Sequence, residues 1–120
     1  MQIHIKNLRL RTIIGINQWE RENKQDVIVN ILVEFDGTQA ALSDCIDDTI
    51  DYKKMTKKII DLVENTQFYL VEKLADTILN MIIEDKRVEH AQVQIDKPQA
   101  LRFADSVSLT VSGTNPNIKS

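Results

Sequence analysis

Five side chains of this sequence could do acid–base chemistry or recognise charge without a bound cofactor. They are Glu20, Tyr52, Glu72, Lys97 and Arg102. All five fall in predicted loops or at the ends of predicted elements, which is where functional sites usually lie. A lysine with a tuned pKa can act as a general acid or base, and a carboxylate accepts hydrogen bonds from hydroxyl or N–H groups. Taken singly, each is a weak signal, since a lone lysine after a strand is usually a solvated cation.

Glu72 lies in the first turn of the most clearly helical stretch, Gln67 to Asp85. Apolar residues recur there at helical spacing and predict a helix with one broad buried stripe. A carboxylate in a first turn is stabilised by the helix dipole and by free backbone N–H groups. Two interpretations of Glu72 stay open at this point. It is either a solvated charge that favours the helix start or the anchor of a ligand that presents a pair of N–H donors.

Metal and phosphate-loop chemistry have little support in the sequence. The two histidines, His4 and His90, lie far apart, and the single cysteine, Cys45, has no partner at ligand spacing. The acidic connection over residues 38–49 lacks the glycine and glutamate spacing of a calcium loop. The three glycines supply no loop that could cradle a phosphate. The sequence therefore predicts chemistry with no metal and no cofactor.

Length and composition are those of one ordinary globular domain. The chain has 120 residues, of which 42% are hydrophobic and 28% are charged, so it can bury a sizeable core. A net charge of −3 argues against non-specific nucleic-acid binding. One cysteine fits a reducing cytosol, Met1 is followed by a polar segment rather than a signal peptide, and no apolar run reaches membrane-spanning length. We expect a cytoplasmic protein with no nucleic-acid partner and no membrane partner.

Apolar alternation predicts four strands, and helical spacing predicts two helices between the second and third of them. In the first strand the apolar residues change parity near Lys6-Asn7, which predicts a bulge. The first helix is capped by Thr49 or Asp51 and ends near Asn65, and the second begins at about Gln67. The four predicted strands are Gln2–Ile14, Asp26–Phe35, Ala91–Ile95 and Ser106–Val111.

This element order, ββααββ, predicts an α+β fold in which a four-stranded antiparallel sheet carries both helices on one face. We expect a single domain over residues 1–113 and a flexible C-terminal tail over residues 114–120. The other face of the sheet carries small polar side chains from the last two strands. That face is therefore either solvated or in contact with copies of itself.

Four motifs, taken together and in order, carry a resemblance to a known family. They are Gly15-Ile16-Asn17-Gln18-Trp19-Glu20 with Gln25, Asp51-Tyr52, Leu70-Val71-Glu72-Lys73-Leu74, and Ile95-Asp96-Lys97-Pro98. The combination resembles the dihydroneopterin aldolase family, and the match runs from Ile3 to about Ser112. The combination is specific, although no single motif is.

The resemblance implies a T-fold (tunnelling fold) subunit. In such proteins the subunit sheets join edge to edge into a barrel, and two rings typically stack, so we expect a homo-oligomer, either a tetramer or an octamer, with active sites between subunits. By the same resemblance Glu72, helped by the Val71 backbone, binds the amino-pyrimidinone edge of a pterin. Glu20 binds the side-chain hydroxyls, Lys97 is the general acid/base, and Tyr52 of a neighbouring subunit assists proton transfer.

Within the family, three features are similar to the dihydroneopterin triphosphate 2′-epimerase branch. They are the opening Ile5 to Thr12, the basic Lys53 directly after Tyr52, and the segment Ala100 to Ser108. An epimerase that acts on a phosphorylated substrate needs cations to hold the tail. Arg102 and Lys53 are the candidates, with Arg11 as a third.

The expected function is an isomerase: epimerisation at C2′ of 7,8-dihydroneopterin triphosphate, or the monophosphate, to the dihydromonapterin form. The chemistry is metal-free retro-aldol and aldol chemistry with side aldolase (lyase) activity. One alternative is a 7,8-dihydroneopterin aldolase of folate biosynthesis, which yields 6-hydroxymethyl-7,8-dihydropterin and glycolaldehyde. An alternative of another class is a non-catalytic pterin-binding or assembly module. The full set of Glu20, Tyr52, Glu72 and Lys97 argues against it, because binding alone does not need the lysine.

Overall fold

The computed structural model describes residues 1–98 and 100–116. These residues form five strands, four α-helices and one short 3₁₀ turn. A 3₁₀ turn, Ile46–Asp48, follows the second helix. The strands and α-helices are β1 (Gln2–Ile14), α1 (Gln18–Glu22), β2 (Gln25–Phe35), α2 (Thr38–Ser43), α3 (Tyr52–Asn65), β3 (Gln67–Phe68), α4 (Val71–Ile83), β4 (Val88–Pro98) and β5 (Ser106–Thr114).

The bulge predicted in the first strand is confirmed. The pairing of β1 with β2 shifts register between Ile5 and Leu8. Asn7 takes a left-handed conformation with φ of 54°, which asparagine tolerates better than most residues. Its backbone N–H donates to Oδ1 of Asn30 at 2.8 Å. The extra residue moves the apolar side chains of β1 from one parity to the other, so that Leu10 and Ile14 reach the core.

The sheet has five strands in the order β3-β1-β2-β4-β5, and here the sequence-based prediction of four antiparallel strands was wrong in one respect. The added strand, β3, is only two residues long and runs parallel to β1, with Ile13 opposite Gln67 and Ile14 opposite Phe68. The second predicted helix therefore begins at Val71 rather than at about Gln67. The stretch before it is extended because its backbone pairs with β1, a non-local contact that helical periodicity does not reveal.

The two long helices cover one face of the sheet, as predicted. Asp51 caps α3 by accepting a hydrogen bond from the N–H of Lys54 at 3.1 Å. Ile59 and Val63 of α3, and Leu74 and Ile78 of α4, are fully buried against the helix-facing row of the strands. Burying one such side chain stabilises the fold by about 1.5–3 kcal/mol. The loops predicted on either side of β2 contain the short helices α1 and α2.

The described C-terminus continues past the predicted end of the domain at residue 113. β5 runs to Thr114, and Asn115 is buried. The Asn115 amide nitrogen donates to the carbonyls of Ile83 and Val88 at 3.2 and 3.0 Å. These carbonyls border the turn after α4, so the asparagine closes that turn and is ordered. The rest of the predicted tail, residues 117–120, lies outside the described residues.

The chain topology brings the ends of several helices and strands together at one end of the domain. A short turn joins α4 to β4, so the two run antiparallel, and the start of α4 lies at the same end of the domain as the end of β4. β3 and the loop after β1 also meet there, since the N–H of Gly15 donates to the Phe68 carbonyl at 3.2 Å. We call this end of the domain the site end. Within the described residues no helix is long and apolar enough to cross a membrane.

Candidate active site

Glu20 and Lys97, which are 77 positions apart in sequence, form an ion pair at the site end. Nζ of Lys97 lies 2.5 Å from Oε2 of Glu20. The side chain of Lys97 is only 13% exposed and that of Glu20 only 15%. Lys97 continues the helix-facing row of Val93 and Ile95 along β4, while Glu20 is carried by α1. A proton donor and a carboxylate are thus held in contact at the rim of the core, where little water screens them.

Two further donors hold the Glu20 carboxylate. The backbone N–H of Asn17, just before α1, donates to Oε1 at 3.3 Å. The Gln25 amide nitrogen donates to Oε2 at 3.3 Å and to the Ile14 carbonyl at 2.8 Å. The hydrogen bond from Lys97 is the main cause that lowers the pKa of Glu20 below its ordinary value. Glu20 is therefore ionised at neutral pH, and the pair is an ammonium and a carboxylate.

Gly15 leaves room for the Glu20 carboxylate because it has no side chain. Its φ is +125°, and a Cβ built on it would lie 2.2 Å from Cδ of Glu20. Glycine is thus required twice, once by the backbone conformation and once by the close approach. Neither Gly15 nor Gln25 was among the sequence-predicted site residues, although both stand in the family motif. The position of Gly15 five residues before Glu20 was the available signal.

Glu72 is the second residue of α4 and is exposed in the single chain, while Val71 is half-buried. Residue 70, which precedes the helix, makes no side-chain cap, so the first backbone N–H groups of α4 have no capping side chain. Three residues separate Glu72 from Phe68, whose carbonyl accepts a hydrogen bond from the N–H of Gly15. The structure therefore brings Glu72 to the site end with Glu20 and Lys97.

Tyr52 lies at the opposite end of the molecule. It is the first residue of α3 and is 53% exposed, and Asp51 beside it lines a cavity with Asp85 and Arg87, close to the start of β4. The fourteen residues of α3 span about 20 Å at 1.5 Å per residue. Its last turn reaches the site end, where Oγ1 of Thr12 donates to the Thr66 carbonyl at 3.0 Å. One chain does not bring Tyr52, or its neighbour Lys53, to Lys97.

Arg102 is exposed in the turn between β4 and β5. Its guanidinium carbon lies 5.7 Å from the centre of the Phe103 ring. In the part of the chain that the structure describes, it forms no ion pair with Asp96 or Asp105. Asp96 instead accepts hydrogen bonds from Gln94 and Ser108. The guanidinium is thus available at the site end, five positions after Lys97 in the chain.

Arg11, the third candidate cation, is already engaged. Its Nε lies 3.3 Å from Oδ1 of Asp26, and its Nη2 donates to the Lys24 carbonyl at 3.1 Å. No group of three or more His, Cys, Asp or Glu side chains in residues 1–98 and 100–116 is arranged to hold a metal ion. What these residues present at the site end is an acid–base pair, a second carboxylate at a helix start, and one free guanidinium.

Comparison with known proteins gives the family of the chain. The family model described as FolB, dihydroneopterin aldolase, matches residues 3–112. The chain belongs to the dihydroneopterin aldolase family. It is 47% identical over 110 residues to the dihydroneopterin triphosphate 2′-epimerase of Escherichia coli K12, with 92% of each chain covered. It is 43% identical to the enzyme of that name from Pseudomonas aeruginosa PAO1, with 93% of this chain and 91% of the relative covered.

A solved structure gives the fold of this family member. The E. coli dihydroneopterin aldolase in complex with neopterin superimposes with a TM-score of 0.90 at 25% sequence identity, covering 94% of this chain and 98% of that one. The domain is an α+β T-fold whose sheet is mixed because of β3. The sequence similarity is therefore greater to the epimerases, at 47% and 43%, than to this aldolase.

Proposed function

We propose that the protein is a dihydroneopterin triphosphate 2′-epimerase with side aldolase activity. It converts 7,8-dihydroneopterin triphosphate, or the monophosphate, to the dihydromonapterin form. The observation that carries the proposal is the Lys97–Glu20 pair, 2.5 Å between Nζ and Oε2, in a chain 47% identical to an epimerase. General acid–base catalysis needs a proton carrier held in hydrogen-bond reach of the substrate, and this pair supplies one.

The chemistry runs through a carbon–carbon bond that breaks and re-forms. The resting ammonium of Lys97 already holds its proton, so it must first release one before it can act as a base. In the proposed cycle this proton passes to water when the substrate hydroxyls bind the Glu20 carboxylate. The lysine then takes the proton of the 2′-hydroxyl.

The C1′–C2′ bond breaks next, C2′ becomes an aldehyde, and the bond electrons pass into the imine of the dihydropterin ring. An aldehyde that is retained can turn its other face and add again to C1′. The 2′ centre is then inverted, and its alkoxide takes the proton back from Lys97. When the aldehyde escapes, the electrons return from the ring to C1′, which takes the proton held by Lys97, and the product is 6-hydroxymethyl-7,8-dihydropterin. Retention of the aldehyde therefore decides between epimerase and aldolase.

The ring and the phosphates need anchors apart from this pair. Glu72 pairs with the N–H groups of the amino-pyrimidinone edge, and the N–H of Val71 supports the ring from the start of α4. Arg102 and Lys53 hold phosphate oxygens, Arg102 by two parallel hydrogen bonds. Within the described residues the Glu72 carboxylate is exposed and the Arg102 guanidinium forms no ion pair, so both groups can bind a ligand.

The site is shared between subunits of a homo-oligomer, a tetramer or octamer, in the cytoplasm. Two observations favour this. Tyr52 and Lys97 lie at opposite ends of one chain, so Tyr52 can assist proton transfer only from a neighbour. The sheet also ends in two open edges, β5 and most of β1, whose backbone groups can pair with another chain.

The alternative function is a 7,8-dihydroneopterin aldolase, which the structural likeness to the E. coli aldolase favours. A product assay distinguishes the two. Purified protein is incubated with dihydroneopterin and with its triphosphate, and the monapterin epimer is resolved from 6-hydroxymethyl-dihydropterin. The proposal expects the epimer as the main product from the triphosphate. Cleavage as the main reaction on both substrates favours the aldolase, and no turnover of either leaves the non-catalytic module.

A further inference from the structure

Arg21, the residue after Glu20, joins two segments of the site end that are distant in sequence. Its Nη1 donates to the carbonyls of Phe68 and Gly15 at 2.8 and 3.3 Å. Its Nη2 donates to Oε1 of Gln67 at 3.2 Å. The guanidinium carbon lies 3.9 Å from the centre of the Tyr69 ring. One half-buried side chain thus holds the loop after β1 and the segment before α4.

We propose that Arg21 is a positioning residue that fixes the spacing between the two halves of the substrate site. One half is Glu20 with Lys97, and the other is Glu72. The proposal rests on the proposed function, in which Glu20 and Lys97 meet the side chain of the substrate and Glu72 meets its ring. Arg21 touches neither part of the substrate and acts through the backbone that carries both carboxylates.

The need for such a tether follows from the elements themselves. α1 has five residues, fewer than an isolated helix needs to be stable. β3 has two residues, and three exposed or half-exposed residues separate it from Glu72. α1 therefore depends on tertiary contacts for its position, and the segment that leads into Glu72 is extended and mostly exposed. A guanidinium is suited to the task because its rigid, planar fork of donors reaches both segments while it stacks on the Tyr69 ring, whereas a lysine donates from a single nitrogen atom.

A fixed spacing has a measurable consequence. When ring and side chain bind to one rigid frame, the second contact is intramolecular and gains from a high effective concentration. Neopterin, which has ring and hydroxylated side chain, should therefore bind the wild-type protein more tightly than pterin, which has the ring alone. Loosening the frame removes this advantage but leaves each half able to bind.

The experiment measures the dissociation constants of pterin and neopterin for wild-type protein, Arg21→Ala and Arg21→Lys. In Arg21→Ala we expect pterin affinity within about twofold of wild type and neopterin affinity about tenfold lower, because only the two-point binding is lost. Arg21→Lys should restore little of it. kcat on dihydroneopterin triphosphate should fall together with the neopterin advantage. Arg87→Ala is the matched control, because Arg87 also donates to a backbone carbonyl, that of Asp47, at the other end of the molecule.

Equal weakening of pterin and neopterin in Arg21→Ala would overturn the proposal, since it marks a general loss of structure. Unchanged binding of both would overturn it as well. If Arg21→Ala does not fold, Gln67→Ala and Tyr69→Leu, which each remove one contact of the guanidinium, carry the same comparison. Failure of the proposed function is distinguishable because it shows in the wild-type protein itself, as cleavage without epimer or as no turnover of the triphosphate, whatever Arg21→Ala does.

Discussion

Gly15 and Glu20 are in such close approach that the space a Cβ would occupy on Gly15 is filled by the Glu20 carboxylate, 2.2 Å from that position to Cδ. The carboxylate sits against bare backbone and is directed at Lys97. No other residue type can stand at Gly15 without moving Glu20, because the φ of +125° also disfavours any side chain there.

Replacing Gly15 with alanine should therefore damage catalysis more than stability. We expect kcat/KM to fall by about 10²-fold, the usual effect of misplacing a reacting group by about an ångström. Stopped assays and thermal unfolding measure the two effects. Gly113→Ala is the control, because a Cβ there would lie 3.0 Å from the flexible end of Ile83, away from the site end. An active Gly15→Ala enzyme would mean that the Glu20–Lys97 contact is dispensable.

The pKa of Glu20 predicts how stability depends on pH. Lys97 lowers this pKa in the folded protein below its ordinary value of 4.5, so the pair stabilises the fold at pH values above that figure. The stabilisation is lost as pH falls through the folded pKa. The difference in unfolding free energy between wild type and Glu20→Gln should thus be full at pH 7 and shrink below about pH 4.5. Urea titrations at several pH values measure it, and a difference that does not change with pH would contradict the ion pair.

The Glu72 carboxylate should contribute directly to pterin affinity. Glu72→Gln should weaken binding by roughly 1.5–3 kcal/mol, the scale of a charge-assisted hydrogen bond, and Glu72→Leu should weaken it more because the ligand donors are left unpaired. Titration calorimetry with pterin measures both variants. Glu84→Gln, at the other end of α4, serves as the control. Unchanged affinity in both Glu72 variants would make Glu72 only a charge that stabilises the helix start.

The fold could be predicted from the sequence where the spacing of apolar residues gave a strong periodic signal. Strict apolar alternation located the long strands, and the parity change near Asn7 located the bulge. β3 could not be predicted, because two residues have no periodicity and their pairing with Ile13 and Ile14 is non-local. The short helix α1 was hidden for a similar reason, since its five residues are held by side-chain tethers rather than by a buried stripe.

The spatial arrangement of the candidate site could be predicted from the sequence only in part. The contact of Glu20 with Lys97 joins residues 77 positions apart, and no local pattern encodes it; only the order of the family motifs indicated both. Arg21 and Gln25 were not singled out because each acts through backbone carbonyls, which any sequence contains. The position of Tyr52 relative to Lys97 is a property of an assembly, and neither sequence periodicity nor one folded chain determines it.

A shared site can be tested by mixing two inactive variants. Lys97→Ala should lose about 10²–10⁴-fold in turnover as an acid–base residue, and Tyr52→Phe should also be impaired. The two variants are mixed in equal amounts, unfolded and refolded together. If Tyr52 of one subunit assists Lys97 of its neighbour, about a quarter of the sites in a closed ring then contain both wild-type residues. Turnover should then rise well above that of either variant alone, while light scattering should report a tetramer or octamer. Without any rise, the two residues would belong to no common site.

Arg102 should decide how the enzyme treats the phosphorylated tail and the cleaved aldehyde. A guanidinium binds phosphate oxygens in pairs, and Arg102 is unpaired with Asp96 or Asp105 within the described residues, so it is free for this role. Arg102→Ala should lower kcat/KM for dihydroneopterin triphosphate much more than for dihydroneopterin, and it should raise the share of cleavage over epimerisation because the aldehyde escapes. Product analysis on both substrates measures the two effects.

The matched control for loss of one positive charge is Arg9→Ala, because Arg9 is an exposed arginine on β1. Equal losses on both substrates, at an unchanged product ratio, would remove Arg102 from the site and leave retention of the aldehyde to Lys53 of the neighbouring subunit.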